Sequence, residues 1–206
     1  MGVFHVATIT PTKEELLAAW IPTQPWGPGP DAEVSVIGAF RFDDPENLVG
    51  IETHLCQSGE TVFQVPLTYR NEPLDGADAS FIGEMEHSAL GTRHIYDGFG
   101  DPRYVLMLTA VALTGQGEAL GMAVFEDRWY IAPANVRIHG GGWGQERVPI
   151  DGMEPVSTDG DRAVFRNDRF DLTVFRRPAS GPHPPIGLTA DWDGGDPVVL
   201  AEVVER

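Results

Sequence analysis

Cysteine and lysine are almost missing from this 206-residue chain: Cys56 and Lys13 are the only ones. A single cysteine excludes an intrachain disulfide and a cysteine-built zinc site. On a predicted strand, Cys56 reads as a small buried filler, because a nucleophile would need exposure and a lowered pKa. Positive charge is scarce as well, with 14 basic residues against 31 acidic ones and a formal charge of −17. That balance argues against nucleic acid and anionic membrane surfaces as partners, since both reward Lys and Arg. No apolar run approaches the roughly 20 residues of a membrane span, and MGVFHVATITPT lacks the basic start and apolar stretch of a signal peptide. A soluble cytoplasmic protein is expected.

What is present is enough apolar residue for a core, 42% of the chain, in patterns that change along its length. Thr12 and Glu15 have the spacing of a capping box and start a helix. Leu16 with Trp20 and Leu17 with Ile21 give it one apolar face, and Pro22 stops it. From Val34 the period becomes two. Val34, Val36, Phe40 and Phe42 are expected on one face, followed by alternating runs from Val49 to Cys56 and from Phe63 to Tyr69, joined by a hairpin at Ser58-Gly59. Pro66 places the last of these strands at an edge or a bulge. Phe81 to His87 and Thr92 to Tyr96 read as shorter strands.

Asp101 and Pro102 then supply an N-cap and a first helical residue. The helix that follows is apolar on almost every face, so it belongs between layers. Beyond Gly115 and Gly117 the chain is strand-rich: Met122 to Phe125, Trp129 to Ile131, Val136 to His139, Ala163 to Arg166, Phe170 to Phe175 and Val198 to Val204. Loops are expected at Gly140 to Gly144 and Pro178 to Pro185. The fold class is α+β, with two main helices and a β-rich C-terminal half. A first region would span 1–117 and a second 118–206, packed either separately or as one unit.

Trp20-Ile-Pro-Thr-Gln-Pro-Trp26, Phe63-Gln64-Val65-Pro66-Leu67 and the stretch from Ile82-Gly83 to Asp97, Asp101 and Pro102 together resemble the N-terminal cap domain of maltokinases. The resemblance covers roughly His5 to Leu113. It implies an antiparallel sheet in a cystatin-like arrangement, and a domain that supplies no catalytic residue. In the full enzyme that domain sits over the nucleotide-binding lobe of a kinase that phosphorylates maltose in trehalose and α-glucan metabolism. Pro25 stands where the caps usually carry Arg. The kinase itself is missing, so a stand-alone, non-catalytic accessory or regulatory protein is expected, acting on a protein partner through the sheet edge near Pro66 or the Trp20–Trp26 loop.

Arg137-Ile138-His139-Gly140, with Gly144-Gln145, echoes the catalytic loop of those kinases. Gly141 stands where phosphoryl transfer needs an Asp, and no phosphate-pairing lysine accompanies it. A glycine-rich loop after a strand is the plain reading. Asp191 to Asp196 with Glu202 has the wrong order for an EF-hand and reads as a turn. His87 and His94 could meet across a turn near Glu84, Glu86 and Asp97, but a metal needs three converging ligands. Among the tryptophans, Trp20 and Trp129 read as core. Trp26 and Trp143 are the candidate binding platforms for an oligosaccharide, with His139 as a further binding residue. No catalytic residue, metal ligand or cofactor is assigned, and α-glucan binding is the second functional reading beside the protein partner. An unrecognised enzyme using the His87/His94 region or the Gly140 loop is the third.

Overall fold

The computed structural model describes residues 2–4, 7–132, 134–144 and 146–206; His5 and Gln145, named above, lie outside them. In chain order the elements are β1 (Gly2–Phe4), β2 (Ile9–Thr10), α1 (Lys13–Trp20), β3 (Ser35–Phe42), β4 (Gly50–Ser58), β5 (Thr61–Arg70), β6 (Phe81–His87) and β7 (Gly91–Asp97). Then come α2 (Pro102–Thr114), β8 (Gly121–Phe125), β9 (Arg128–Ala132), β10 (Val136–Gly140), β11 (Glu154–Thr158), β12 (Arg162–Arg166), β13 (Phe170–Phe175), β14 (Gly187–Trp192) and β15 (Val198–Glu205). Sheet I has the order β2-β6-β7-β5-β4-β3, sheet II the order β10-β14-β15-β13-β12-β11, and a small sheet III the order β1-β8-β9. The fold is α+β with largely antiparallel sheets and a β-rich C-terminal half.

Sheet I is covered on both faces. Thr12 and Glu15 close the capping box at the start of α1, and Leu17 and Ile21 pack with Phe63, Val65, Leu67, Met85 and Ile95 on one face. On the other face Phe40, Ile51 and Leu55 meet Tyr104, Leu108 and Ala112 of α2, whose far side meets Leu172, Leu188 and Leu200 of sheet II. The helix lies between the two sheets, as its apolar surface predicts, and one hydrophobic cluster joins both halves of the chain. Asp101 caps it, its carboxylate accepting from Arg103 N–H at 2.9 Å and from the Arg70 guanidinium in a bidentate pair at 2.7 Å.

Three local expectations are corrected. Val36 and Phe40 do not share a face, because a bulge between Val36 and Gly38 shifts the register and sends Val34 and Val36 toward α1 but Phe40 and Phe42 toward α2. Such an extra residue inverts every side chain after it. β5 is not an edge strand, since it lies between β4 and β7, but the ladder to β7 begins only at Leu67–Asp97 and leaves Pro66 on a margin of β5 that β7 does not pair. Trp129 is 59% exposed rather than core, because β9 is the outer strand of sheet III.

Beneath the start of α1, Lys13 pairs with Glu52, Tyr69 donates to the same Glu52 oxygen at 3.0 Å, and His54 Nε2 lies 3.8 Å from it. Burial pushes the His54 pKa below its usual 6.5, against the opposing pull of Glu52. Burial alone would raise the Glu52 carboxyl, but His54, Lys13 and Arg41 outweigh it and hold it below 4.5. Both shifts have the same sign for stability. The folded state refuses protons that the unfolded chain accepts, so stability present above pH 6.5 is lost as the pH falls, first through His54 and then, below 4.5, through Glu52. Urea midpoints should therefore decline as the pH falls below 6.5, and His54→Leu, which removes both the buried imidazole and the leading charge that holds Glu52 down, should flatten that decline. An unchanged slope in that variant would assign the dependence elsewhere.

Candidate functional site

The glycine-rich loop after β10 closes the end of the buried helix. The last carbonyls of α2 have no partner within the helix, and here Gly142 N–H donates to Ala112 O at 3.0 Å and Gly144 N–H to Leu113 O at 2.8 Å. A Cβ at Gly142 would stand 2.2 Å from Ala112 O, so the approach requires glycine. The echo of a kinase catalytic loop is thus a β-strand followed by a helix-capping loop.

Held between those two anchored glycines, Trp143 is 82% exposed. It forms one wall of an open groove of about 880 Å³. The groove runs past the end of α2 and the segment 146–150, with Phe170 and Ile186 among its lining residues. Polar groups line it as well. Arg169 bridges to Glu205 at 2.8 Å and reaches Glu146 at 3.9 Å, and Arg147 stands beside them in the lining. An exposed indole beside apolar floor and charged hydrogen-bonding groups can stack one face of a sugar ring while fixing its hydroxyls. Glu146 and Arg147 are close enough to Trp143 in sequence to have been suspected; Arg169 and Glu205 carry no such signal.

His139 is not among the residues lining that groove. It stands on β10 opposite Thr189 of β14, with Nε2 2.6 Å from Asp191 Oδ2. His183 lies nearby, its ring 6.4 Å away and its Nδ1 2.8 Å from Thr189 Oγ1. Asp191 is therefore engaged across the strands while Glu202 lies on β15 opposite Gly187, which takes apart the calcium-loop reading. His87 and His94 do not meet: the ladder sets His87 against Gly91 and His94 against Glu84, three rungs apart. Among the described residues no three His, Cys, Asp or Glu side chains gather in a metal-binding group.

Trp26 has one face committed. Arg176, 3% exposed, lies with its guanidinium carbon 4.2 Å from the Trp26 ring centroid and 3.9 Å from that of Phe99. The same guanidinium pairs with Asp97 and donates to Gln64 O at 3.1 Å. Gln64 returns the grip, its backbone N–H donating to Arg176 O at 2.9 Å and its side-chain amide to Phe175 O and Leu200 O. Arg177 donates to Trp26 O at 2.7 Å. Four residues of the motif stretches noted above, Trp26, Gln64, Asp97 and Phe99, thus converge on one arginine from the C-terminal half. Residues 20–101 match the maltokinase N-terminal cap domain. This cap-like segment ends at the α2 N-cap, leaving α1 before Trp20 and sheet II outside the match. No curated protein matches the chain. Both surfaces expected to receive a protein partner, the strand edge near Pro66 and the loop of Trp26, are met by residues 175–177 of the same chain.

Proposed function

We infer that this chain is a non-catalytic accessory protein of maltose and α-glucan metabolism, and that its working surface is the groove beside Trp143, where it holds a stretch of α-glucan. The reading is supported by the cap-like segment and carried by one observation: a tryptophan 82% exposed on a loop anchored to a buried helix. A rigid mount matters because an indole that is already placed loses little freedom on binding. The reading brings with it a cystatin-like arrangement for sheet I, supported by α1 lying across one face of an antiparallel meander. Trp26 contributes to the fold and not to the ligand.

Calorimetry with maltoheptaose tests it. Saturable binding is expected, with Trp143→Ala weakening it by about 10- to 100-fold, the loss of roughly 1.4 to 2.8 kcal/mol of stacking and desolvation. The melting temperature should not change, since the indole is exposed. Binding that survives the substitution would remove the groove from the reading, and no heat with maltoheptaose would remove the glucan. The other reading, a protein partner, is tested by affinity capture with the same protein, where recovery of an enzyme of glucan metabolism by wild type and Trp143→Ala alike would favour it.

A further inference from the structure

A second cleft lies where β3 of sheet I meets the segment entering β10 of sheet II. Gly38 of β3 passes so close to β10 that a Cβ there would stand 2.4 Å from Val136 Cγ2. Two contacts fasten this junction: Ala39 N–H donates to Asn135 Oδ1 at 3.0 Å, and Ala119 N–H donates to Arg41 O at 2.8 Å. Between them is a cleft of about 260 Å³. Its walls are small, with Ala39, Ala119, Gly121, Ala132 and Ala134 lining it. Into it come the polar residues Arg41, Glu52, Glu118 and Asn135. At about 30 Å³ per water the volume equals roughly nine waters, which suits one six-membered ring and not a chain.

The charges at this cleft are already answered. Of the carboxylates, Glu52 is paired with Lys13. Glu118 accepts from Ile138 N–H at 2.9 Å and has Arg137 at 3.4 Å. A cation entering the cleft would find no unanswered carboxylate to offset its desolvation. A neutral ligand with many hydroxyls finds something better. A carboxylate offers about four acceptor positions, so Glu52 and Glu118 retain hydrogen-bonding capacity beyond their structural contacts. Asn135 accepts from Ala39 N–H with its amide oxygen, and among the described residues its amide nitrogen remains available as a donor. Leu120, 61% exposed, provides apolar surface against which the C–H face of a ring can rest.

We propose that this cleft, lined by Arg41, Glu52, Glu118 and Asn135, binds a single neutral polyol ring of monosaccharide size. The site is independent of the Trp143 groove. It straddles the junction of β3 with the segment entering β10, so an occupied cleft would also tie the cap-like sheet to sheet II.

Titration of isotope-labelled protein with D-glucose and with myo-inositol tests this by the amide resonances of Glu118, Ala119 and Asn135. Saturable shifts with at least one of the two are expected. Ala119→Leu, which fills the cleft, should weaken binding by at least about tenfold, and Asn135→Ala by several-fold; thermal melts of both variants confirm that they fold. Trp143→Ala should leave these shifts unchanged, which separates this site from the groove. Three results would each overturn the proposal: no saturable shift with either polyol, undiminished binding in folded Ala119→Leu, or tighter binding of glucosamine or glucose phosphate than of glucose itself.

Discussion

Replacing Arg176 with methionine is expected to cost about 3–5 kcal/mol of folding stability, the range for removing one partner of a buried ion pair. The methionine keeps much of the volume between Trp26 and Phe99, so the loss is electrostatic. Asp97 would keep a largely buried carboxylate with no cation, and Gln64 O would lose its donor. For a chain of this length each kcal/mol moves the midpoint by roughly 2–4 °C, so a drop of about 10 °C is expected in a thermal melt. Two controls fix the cause. Adding Asp97→Asn to the variant should recover part of the loss by removing the stranded charge, and Arg177→Ala, whose side chain is 40% exposed, should cost no more than about 1 kcal/mol. If the double variant is as unstable as the single one, the packing of Trp26 and Phe99 on the guanidinium carries the effect and the ion pair does not.

How much of this could be read in the sequence depends on the distance between cause and effect. The α1 capping box, the Asp101 cap and the burial of α2 are written in adjacent residues, and each has its place in the structure. The hairpin after β4 turns at Gly59-Glu60, one residue later than the pattern suggests, because Gly59 takes the left-handed conformation at φ +58°. The bulge in β3 had one local sign, Gly38 inside an apolar strand, but only the pairing with β4 shows that Ile37 is the extra residue. β14 escaped notice because Gly187 to Trp192 follows a proline-rich loop and mixes small and polar residues. Its burial on both sides comes from Leu188 and Ala190 in the core and from Thr189 beneath His183. The Arg176 site was legible only as fragments. Trp26, Gln64 and Asp97 belong to recognisable motif stretches, but nothing near Arg176 in sequence reveals that it gathers them. The polar residues of the junction cleft are separated in the same way, Glu52 and Glu118 coming from opposite halves of the chain.

The second large effect is expected from a single methyl group, Gly142→Ala. That Cβ would meet Ala112 O at 2.2 Å and the Leu113 carbonyl at 2.6 Å, all of it helix backbone with no flexible side chain to move aside. The loop must withdraw, and with it go the two N–H groups that satisfy the last carbonyls of α2. Overpacking and a buried carbonyl left without a donor each cost about 1–3 kcal/mol, so a loss of roughly 3–4 kcal/mol is expected. Gly152→Ala is the control that isolates space from conformation. Gly152 lies at φ +67° with nothing within 4 Å of a built Cβ, so its substitution meets only the left-handed strain of about 1 kcal/mol. Denaturant midpoints should therefore rank Gly142→Ala well below Gly152→Ala. Hydrogen exchange should quicken at the Gly142 and Gly144 amides in the first variant alone. Because Trp143 stands between those two anchors, maltoheptaose binding should fall along with them even at temperatures where the variant remains folded. Stability lost with binding retained would mean that the indole keeps its place without the helix cap, and the rigid mount would then not be what the groove depends on.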